Sequence, residues 1–210
     1  MRRTIFLQIL IIFGFISVNA QKIDDADPLY ARAGFKGGLS YSSVFGDIDN
    51  ASGRFRIHLG AVVEYPITSK FFLQGELLYS AQGYKVDVNN REQKVSLNFI
   101  SLPIVAKFQL HESLSLDTGI QVSILSNVRN DDLEDNDPFF DSFNNLDVSG
   151  VFGATYKLES GLFFQLRYNL GFTILNNNTV ANPNNRNSVA QLSVGYLFKT
   201  KNNRRIIREQ

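Results

Sequence analysis

The chain of 210 residues contains no cysteine, only two histidines, and nearly equal numbers of basic and acidic side chains, 21 and 20. The lack of cysteine excludes disulfides, cysteine-ligated metal sites and a lipid anchor on cysteine. The balanced charge offers no basic surface of the kind that binds nucleic acid. Beyond residue 20, no stretch approaches the roughly eighteen consecutive apolar residues of a membrane-spanning helix.

The first twenty residues differ in composition from the rest. A cationic start precedes an apolar run at 5–18, which leads into the small residues Val18 and Ala20. This layout is typical of a secretory signal peptide over residues 1–20. The alternative is an uncleaved membrane anchor helix, for which the run is short. A polar periplasmic lead at 21–30 is expected to follow.

From about residue 31 onward, apolar and polar residues alternate with a period of two. In LFFQLRYNLGF (162–172), Leu166, Tyr168 and four other apolar residues stand at even-numbered positions, which we call one parity. Gln165 and Arg167 stand at odd-numbered positions, the other parity. Side chains of a strand alternate between its faces, so each such segment predicts a strand with one apolar face. Eight segments of this kind are present, at 33–41, 55–65, 71–81, 95–108, 114–124, 146–156, 162–172 and 190–198.

The lengths of the segments and of their connections indicate a membrane barrel. Ordinary strands have about five or six residues, whereas tilted membrane strands need about nine to eleven, as these segments do. Short connections at 66–70, 111–112 and 159–161 alternate with long ones at 42–54, 85–93, 127–145 and 176–186. The sequence therefore predicts an all-β, eight-stranded antiparallel transmembrane β-barrel over residues 31–199, with short periplasmic turns and long extracellular loops.

The polar parity indicates which face lies inside. It combines glycine and serine with a few long side chains of both charges, as expected for the narrow, poorly hydrated lumen of eight strands. We predict a lumenal charge network of Arg32, Lys36, Arg56, His58, Glu64, Glu76, Lys107, Asp117, Asp147, Lys157 and Arg167. On this assignment Leu166→Arg, facing lipid, is expected to be far more damaging than Gln165→Arg, facing the lumen. A secreted soluble β-sandwich is the alternative.

The fourth segment changes parity near its middle. In its first part the apolar residues stand at odd-numbered positions, Val95, Leu97 and Phe99. From Ile100 onward they stand at even-numbered positions. Proline inside a strand marks an edge or a bulge, and a one-residue bulge near Pro103 would produce this change. The sequence therefore predicts a bulge here, with the apolar residues on both sides of it facing lipid.

Four stretches carry a resemblance to a known family: GFKGGLSYS (34–42), FFLQGELLYSAQGYK (71–85), LNFISLPIVAKFQL (97–110) and QLSVGYLFK (191–199). They resemble the small outer-membrane β-barrel proteins of Bacteroidota, the PorT-like group of the porin family. The resemblance implies an outer-membrane protein, inserted by the barrel-assembly machinery and linked to outer-membrane secretion or envelope integrity. Barrels often end on an aromatic residue that this machinery reads. Phe198 would serve here, although a basic tail at 200–210 follows it.

Few residues suggest chemistry. His58 shares the lumenal parity with Glu64 and Glu76, so a lipid A-modifying hydrolase is one alternative, and a packed, hydrogen-bonded histidine is the simpler interpretation. The other histidine, His111, falls in a short turn. Weak candidates for calcium ligands, without the spacing of an EF-hand, are Asp131, Asp132, Glu134, Asp135 and Asp137. We predict no catalytic residue and no cofactor.

The predicted function is that of a non-enzymatic barrel in the cell outer membrane. Its expected surroundings are membrane lipid and lipopolysaccharide. A protein partner would bind at the loop 127–145, which contains Phe139 and Phe140, or at the basic tail. A small porin-like channel is the alternative, although eight strands leave a lumen that side chains fill.

Overall fold

The computed structural model describes residues 31–46, 52–88, 91–130, 143–175 and 185–198. They form the strands β1 (Arg32–Phe45), β2 (Ser52–Pro66), β3 (Phe71–Val88), β4 (Arg91–His111), β5 (Leu114–Asn130), β6 (Leu146–Lys157), β7 (Leu162–Gly171) and β8 (Arg186–Leu197). Each strand pairs antiparallel with its neighbours in sequence, and β8 pairs with β1, so the sheet closes into an eight-stranded barrel. Among the described residues, no helix is long and apolar enough to cross a membrane. The predicted signal peptide at 1–20, lead at 21–30 and tail at 200–210 lie outside the described residues.

The outer wall of the barrel carries the large apolar side chains. Phe55 is 75% exposed, and Leu166 and Leu192, in the middle of their strands, are 62% and 59% exposed. So continuous an apolar surface is unfavourable in water, and it is the surface that a bilayer covers. A soluble sandwich would bury these residues, so the closed barrel decides between the two alternatives in favour of the membrane protein.

The inner wall combines polar side chains with glycine. At Gly34, Gly38, Gly60 and Gly119, an added Cβ would overlap the carbonyl oxygen of a residue on the adjacent strand. Strands of a narrow barrel bend tightly around the lumen, so side chains on the inside converge. Glycine is therefore required where neighbouring backbones approach on the concave face.

The two ends of the barrel differ in the length of their connections. At one end, which we call the turn end, short segments at 67–70, 112–113 and 158–161 join the strands. The opposite end, which we call the loop end, carries the longer connections. The predicted long loops at 127–145 and 176–186 correspond to the connections 131–145 and 172–185, so the alternation is confirmed there. The predicted loop at 42–54 is shortened to 46–51, because β1 continues to Phe45 and β2 begins at Ser52.

The connection at 85–93 was predicted to be a loop, and this prediction is wrong. The β3–β4 ladder continues through Lys85↔Lys94 to Val88↔Arg91, so that only residues 89–90 separate the two strands. Residues 89 and 90 are both asparagine, a turn former, and Val86 and Val88 before them favour strand, so the sequence itself favours a short connection over a long loop. β3 and β4 continue past the last residues that pair with their other neighbours, Lys85 toward β2 and Val95 toward β5. We call residues 81–88 and 91–97 the arm.

The prediction for the first half of β4 is also wrong. Val95, Leu97 and Phe99 are each 1% exposed, and they lie on the inner face rather than toward lipid. The inner parity then continues unchanged through Ser101 and Val105, both of which are buried. The apolar character of this stretch reflects burial inside the loop end of the barrel, so no change of parity occurs along β4.

A bulge is present in this region, but Pro103 does not cause it. The register shift lies between Asn98 and Phe99, where β5 accommodates one residue more than β4. Pro103 keeps its register opposite Gln121 on β5. Toward β3, the ladder omits pairs between Gly75↔Ile104 and Leu78↔Ser101 and then resumes in the same register. Because proline has no N–H, it removes a ladder bond without shifting the strand.

The base of the arm bends over the loop end of the lumen. Residues 81–84 and 95–99 are buried consecutively, so both of their faces are covered. Asn187 on β8 donates a hydrogen bond to Gln82, and Arg54 on β2 donates to the Val95 carbonyl oxygen at 3.0 Å. Side chains of β2 and β8 therefore hold the arm in addition to its backbone ladders.

A serine on β1 replaces a missing ladder partner at the bend. The β2–β3 register shifts between Gly53 and His58, and Gly83 on β3 has a φ of 146°, which a residue with a side chain rarely adopts. The Ser42 hydroxyl accepts the Gly83 N–H at 2.9 Å and donates to the Gly83 carbonyl at 2.8 Å. One side chain thus satisfies both backbone groups of Gly83.

We expect Ser42→Ala to lower the free energy of unfolding by about 1–3 kcal/mol, because it leaves a buried donor and a buried acceptor without partners. Urea unfolding in detergent, followed by circular dichroism, measures the change. Ser43→Ala is the matched control, because the half-buried Ser43 hydroxyl makes only a long bond of 3.4 Å to the adjacent Val44 carbonyl. Its expected effect is below about 0.5 kcal/mol. Equal losses in the two variants would contradict the role of Ser42.

An apolar cluster closes the loop end beneath the arm. We call it the apolar cap, and it consists of Val44, Tyr84, Val95, Leu97, Phe99, Phe143 and Leu175. Its members come from β1, β3 and β4 and from residues beside the two long connections that follow β5 and β7. Full burial of a large apolar side chain contributes about 1.5–3 kcal/mol, so the cap holds the arm down more strongly than its hydrogen bonds do.

Candidate functional site

A buried cluster of three charges lies in the lumen, and we call it the Glu76 cluster. The Glu76 carboxylate on β3 accepts two hydrogen bonds from the Arg167 guanidinium on β7, at 2.8 and 2.9 Å. Lys36 Nζ on β1 lies 2.7 Å from the same carboxylate. All three side chains are fully shielded from solvent. The paired geometry compensates part of the cost of removing these charges from water.

A second cluster lies toward the turn end, and we call it the Glu64 cluster. The Glu64 carboxylate on β2 accepts hydrogen bonds from Lys107 Nζ on β4, at 3.1 Å, and from Lys157 Nζ on β6, at 2.8 Å. Lys107 and Glu64 are almost fully buried, whereas the Lys157 side chain is 20% exposed. Lys157 also lies over the ring of Phe72, 5.0 Å from its centroid. The two clusters together join six strands across the lumen.

Two glutamines connect these charges. Gln74 accepts a hydrogen bond from Lys107 Nζ at 3.0 Å and donates one to the Glu76 carboxylate at 2.5 Å. It therefore links the two clusters. Gln165 accepts Lys36 Nζ at 2.8 Å and donates to Asp117 at 2.8 Å. Sequence reasoning selected charged residues and missed both glutamines. Both glutamines stand at the alternate positions predicted to face the lumen, and this placement could have identified them.

His58 joins the strands that close the barrel. Its Nδ1 lies 2.8 Å from Ser40 Oγ on β1, and its Nε2 lies 2.7 Å from Ser193 Oγ on β8. Both ring nitrogens are occupied by hydroxyl groups, and no carboxylate orients the ring as a catalytic triad requires. The residue is 1% exposed. Its geometry is that of a structural bridge across the β8–β1–β2 seam.

Five predicted members of the charge network lie outside both clusters: Arg32, Arg56 and Asp147, together with His58 and Asp117, whose contacts are described above. Arg32 is exposed at the start of β1, and the half-buried Arg56 donates to Asn98 Oδ1 at 3.4 Å. Asp147 is buried and accepts the Thr173 hydroxyl at 2.8 Å. In the described part of the chain, none of these five residues forms an ion pair.

The lumen holds little free space at its turn end. The cavity beside Glu64, Lys107 and Lys157 has a volume of about 10 Å³, room for about one water molecule. A larger depression of about 380 Å³ lies at the outer wall, lined by Phe71, Phe108 and other residues. Charged side chains therefore occupy the turn end of the described interior, and the apolar cap occupies its loop end.

The structure does not bear on the predicted calcium loop. Its candidate ligands lie outside the described residues: Asp131, Asp132, Glu134, Asp135 and Asp137. Within the residues that are described, no group of three or more histidine, aspartate or glutamate side chains is arranged to hold a metal ion.

Comparison with solved structures supports the fold. The barrel is similar to Neisserial surface protein A, with a TM-score of 0.53 at 12% identity over 80% of this chain and 99% of that one. It is also similar to Ail, the attachment invasion locus protein of Yersinia pestis, with a TM-score of 0.50 at 12% identity over 81% and 100% of the chains. At such identity the likeness concerns the fold alone. Comparison with curated proteins gives no match.

The family of the chain follows from a match to a protein-family model, because similarity of fold at 12% identity does not establish a family. The model described as the outer membrane protein beta-barrel domain matches residues 19–177. That range covers most of the chain and seven of its eight strands. Its members cross a bilayer with apolar outer walls of the kind seen here. This chain therefore belongs to the outer membrane protein beta-barrel domain family, and it is a protein of the outer membrane.

Proposed function

We propose that this protein is a non-enzymatic anchor and interaction scaffold, acting through the parts that extend from its barrel. The filled lumen carries the proposal. The Glu76 and Glu64 clusters occupy the lumen, and the apolar cap closes its loop end. A lumen of this kind offers neither a passage nor a substrate site. Contacts made outside the membrane are then the remaining means of action.

The arm and the long connections extend from the same end of the barrel. By the usual arrangement of such barrels, this end is extracellular. The arm presents Lys85 and Glu92, which form a partly exposed ion pair at 3.0 Å, together with the exposed Lys94. Rigid strand structure keeps these charges in place, which suits recognition of a protein partner.

The same proposal includes a more specific cellular role and a function for each end of the chain. The resemblance noted in the sequence supports a PorT-like role in outer-membrane secretion or envelope integrity, with insertion by the barrel-assembly machinery. We also propose that residues 1–20 direct export and that the basic tail at 200–210 contacts partners or lipid head groups in the periplasm. Lipopolysaccharide is the expected neighbour of the outer leaflet.

Site-directed crosslinking tests the scaffold. Since the native chain has no cysteine, single variants Lys94→Cys on the arm, Asn127→Cys beside the long loop and Asn203→Cys on the tail can each carry a photoreactive group. In intact outer membranes we expect a discrete adduct from at least one of these positions. Glu159→Cys, on an exposed short turn, is the control and should give none.

Two further measurements address the alternatives. Planar-bilayer recordings should show no stable conductance steps, because the lumen is packed. Lipid A from a deletion strain should have an unchanged mass profile, because His58 and its serine partners are buried. Sizeable regular steps would favour a channel, and an altered lipid A profile would favour an enzyme. Absence of adducts from all three test positions would count against the scaffold.

A further inference from the structure

The outer wall of the barrel has a depression in the half nearer its turn end, with a volume of about 380 Å³. The floor of the depression is the pair Ala106 on β4 and Thr118 on β5, which lie directly opposite each other in the ladder. Larger side chains surround this floor: Phe71, Phe108, Leu116 and Phe152. Because short side chains stand between long ones, the wall forms a groove here, which we call the wall groove.

The depth of the wall groove places it among lipid tails. Thr118 is four residues from Leu114, the first residue of β5. With a rise of about 3.3 Å per residue and a tilt of about 40°, the floor lies about 10 Å from the turn end, which is periplasmic in the usual arrangement of such barrels. The apolar band of these barrels is about 25 Å tall. The wall groove therefore opens toward the acyl chains of the periplasmic leaflet.

A cation stands between the wall groove and the membrane surface. Lys70 immediately precedes Phe71, and its carbonyl oxygen accepts the Gln109 N–H at 2.8 Å, so it also adjoins the strand that carries Phe108. Lys70 is exposed, and among the described residues it forms no ion pair; neither does Glu112 on the neighbouring turn. An exposed ammonium group at a membrane surface attracts anionic lipid head groups.

We propose that the wall groove and Lys70 bind one anionic phospholipid of the periplasmic leaflet, with an acyl chain in the groove and the phosphate at Lys70. The shape favours a lipid tail over a second copy of this chain. The wall of a barrel is convex, so a second barrel would rest on the half-exposed rings of Phe108 and Phe152 and leave the floor uncovered. A single flexible chain can lie between those rings. This site does not depend on the proposed scaffold function.

Quenching of a single tryptophan by brominated lipid tests the site, since the native chain has no tryptophan. Phe108→Trp places an indole at the wall groove. Phe164→Trp is the matched control, because Phe164 is also an exposed phenylalanine of the outer wall, two residues from the start of β7. In phosphatidylcholine vesicles, we expect brominated phosphatidylglycerol to bind beside Phe108→Trp about fivefold more tightly than brominated phosphatidylcholine, because of the charge on Lys70. The two lipids should quench Phe164→Trp equally.

Two further changes in the Phe108→Trp protein separate the charge from the shape. Lys70→Gln should remove the preference for phosphatidylglycerol, and Ala106→Leu, which fills the floor, should reduce it. Ala61→Leu is the control for the second change, because Ala61 is an exposed alanine on the outer wall of β2, away from the groove, and it should keep the preference.

Three results would overturn the site. One is equal affinity of the two lipids beside Phe108→Trp, or a preference that survives Lys70→Gln. Another is the same preference at Phe164→Trp, which would indicate a general attraction of anionic lipid to the barrel. The third is much weaker quenching of Phe108→Trp than of Phe164→Trp by both lipids, which would show that a second copy of the chain covers the groove.

Discussion

Replacing Glu76 with glutamine is expected to lower the free energy of unfolding by about 3–5 kcal/mol. The substitution removes the carboxylate that both Arg167 and Lys36 contact, at 2.8 and 2.7 Å. Two cations would then share a fully buried site without a direct counter-charge. Loss of one partner is more costly than absence of the whole cluster, because the charges that remain stay desolvated. Urea unfolding in lipid vesicles measures the difference.

Glu92→Gln provides the control, since it removes the same charge from an ion pair on the surface. The Lys85 and Glu92 side chains are 33% and 48% exposed, so water already solvates and screens them. The expected loss is below about 1 kcal/mol. If Glu76→Gln were no more destabilising than Glu92→Gln, the Glu76 cluster would not contribute to stability in the way proposed here.

Introducing arginine at Leu166 is expected to cost about 2–4 kcal/mol and to reduce insertion. Leu166 is 62% exposed on the outer wall, in the middle of β7, where the bilayer is most apolar. Leu110→Arg is the control, because Leu110 is also exposed on the outer wall, at 55%, but lies beside the turn end. Near the interface the expected cost is about 0–1 kcal/mol. Equal losses would contradict the assigned depth.

The structure changes the expectation for Gln165→Arg. Sequence reasoning placed Gln165 in the lumen and predicted a mild effect. Gln165 is 1% exposed and bonds to Lys36 and Asp117, so arginine there would add a cation beside Lys36 and Arg167. We therefore expect this variant to be destabilising as well, through charge repulsion and overpacking rather than exposure to lipid.

Strand assignment from the sequence was accurate where one face meets lipid and the other meets the lumen. The segment at 162–172 corresponds closely to β7, Leu162–Gly171. The assignment was wrong in the arm and in the first half of β4. There, Val95, Leu97 and Phe99 pack in the apolar cap. A side chain buried by lipid and one buried by other side chains are equally apolar, so periodicity cannot distinguish them.

The residues of the lumenal clusters could be predicted, but their partners could not. Glu76 and Arg167 are 91 residues apart in the chain and meet across the lumen from β3 and β7. Which charges meet depends on the stagger between strands and on barrel width. Neither quantity is contained in the alternation of a single segment. For the same reason Asp147 was grouped with the ion pairs, although it lies apart from them.

The amino-acid sequence by itself determined the strand count, the outward direction of the apolar parity and the polar character of the lumen. Each of these follows from local alternation and segment length. Only the tertiary structure decided that the arm covers the loop end, that the charges form two connected clusters and that Asp147 stands without a cation. These features arise from contacts between distant strands, and closure of the barrel brings those strands within reach of one another.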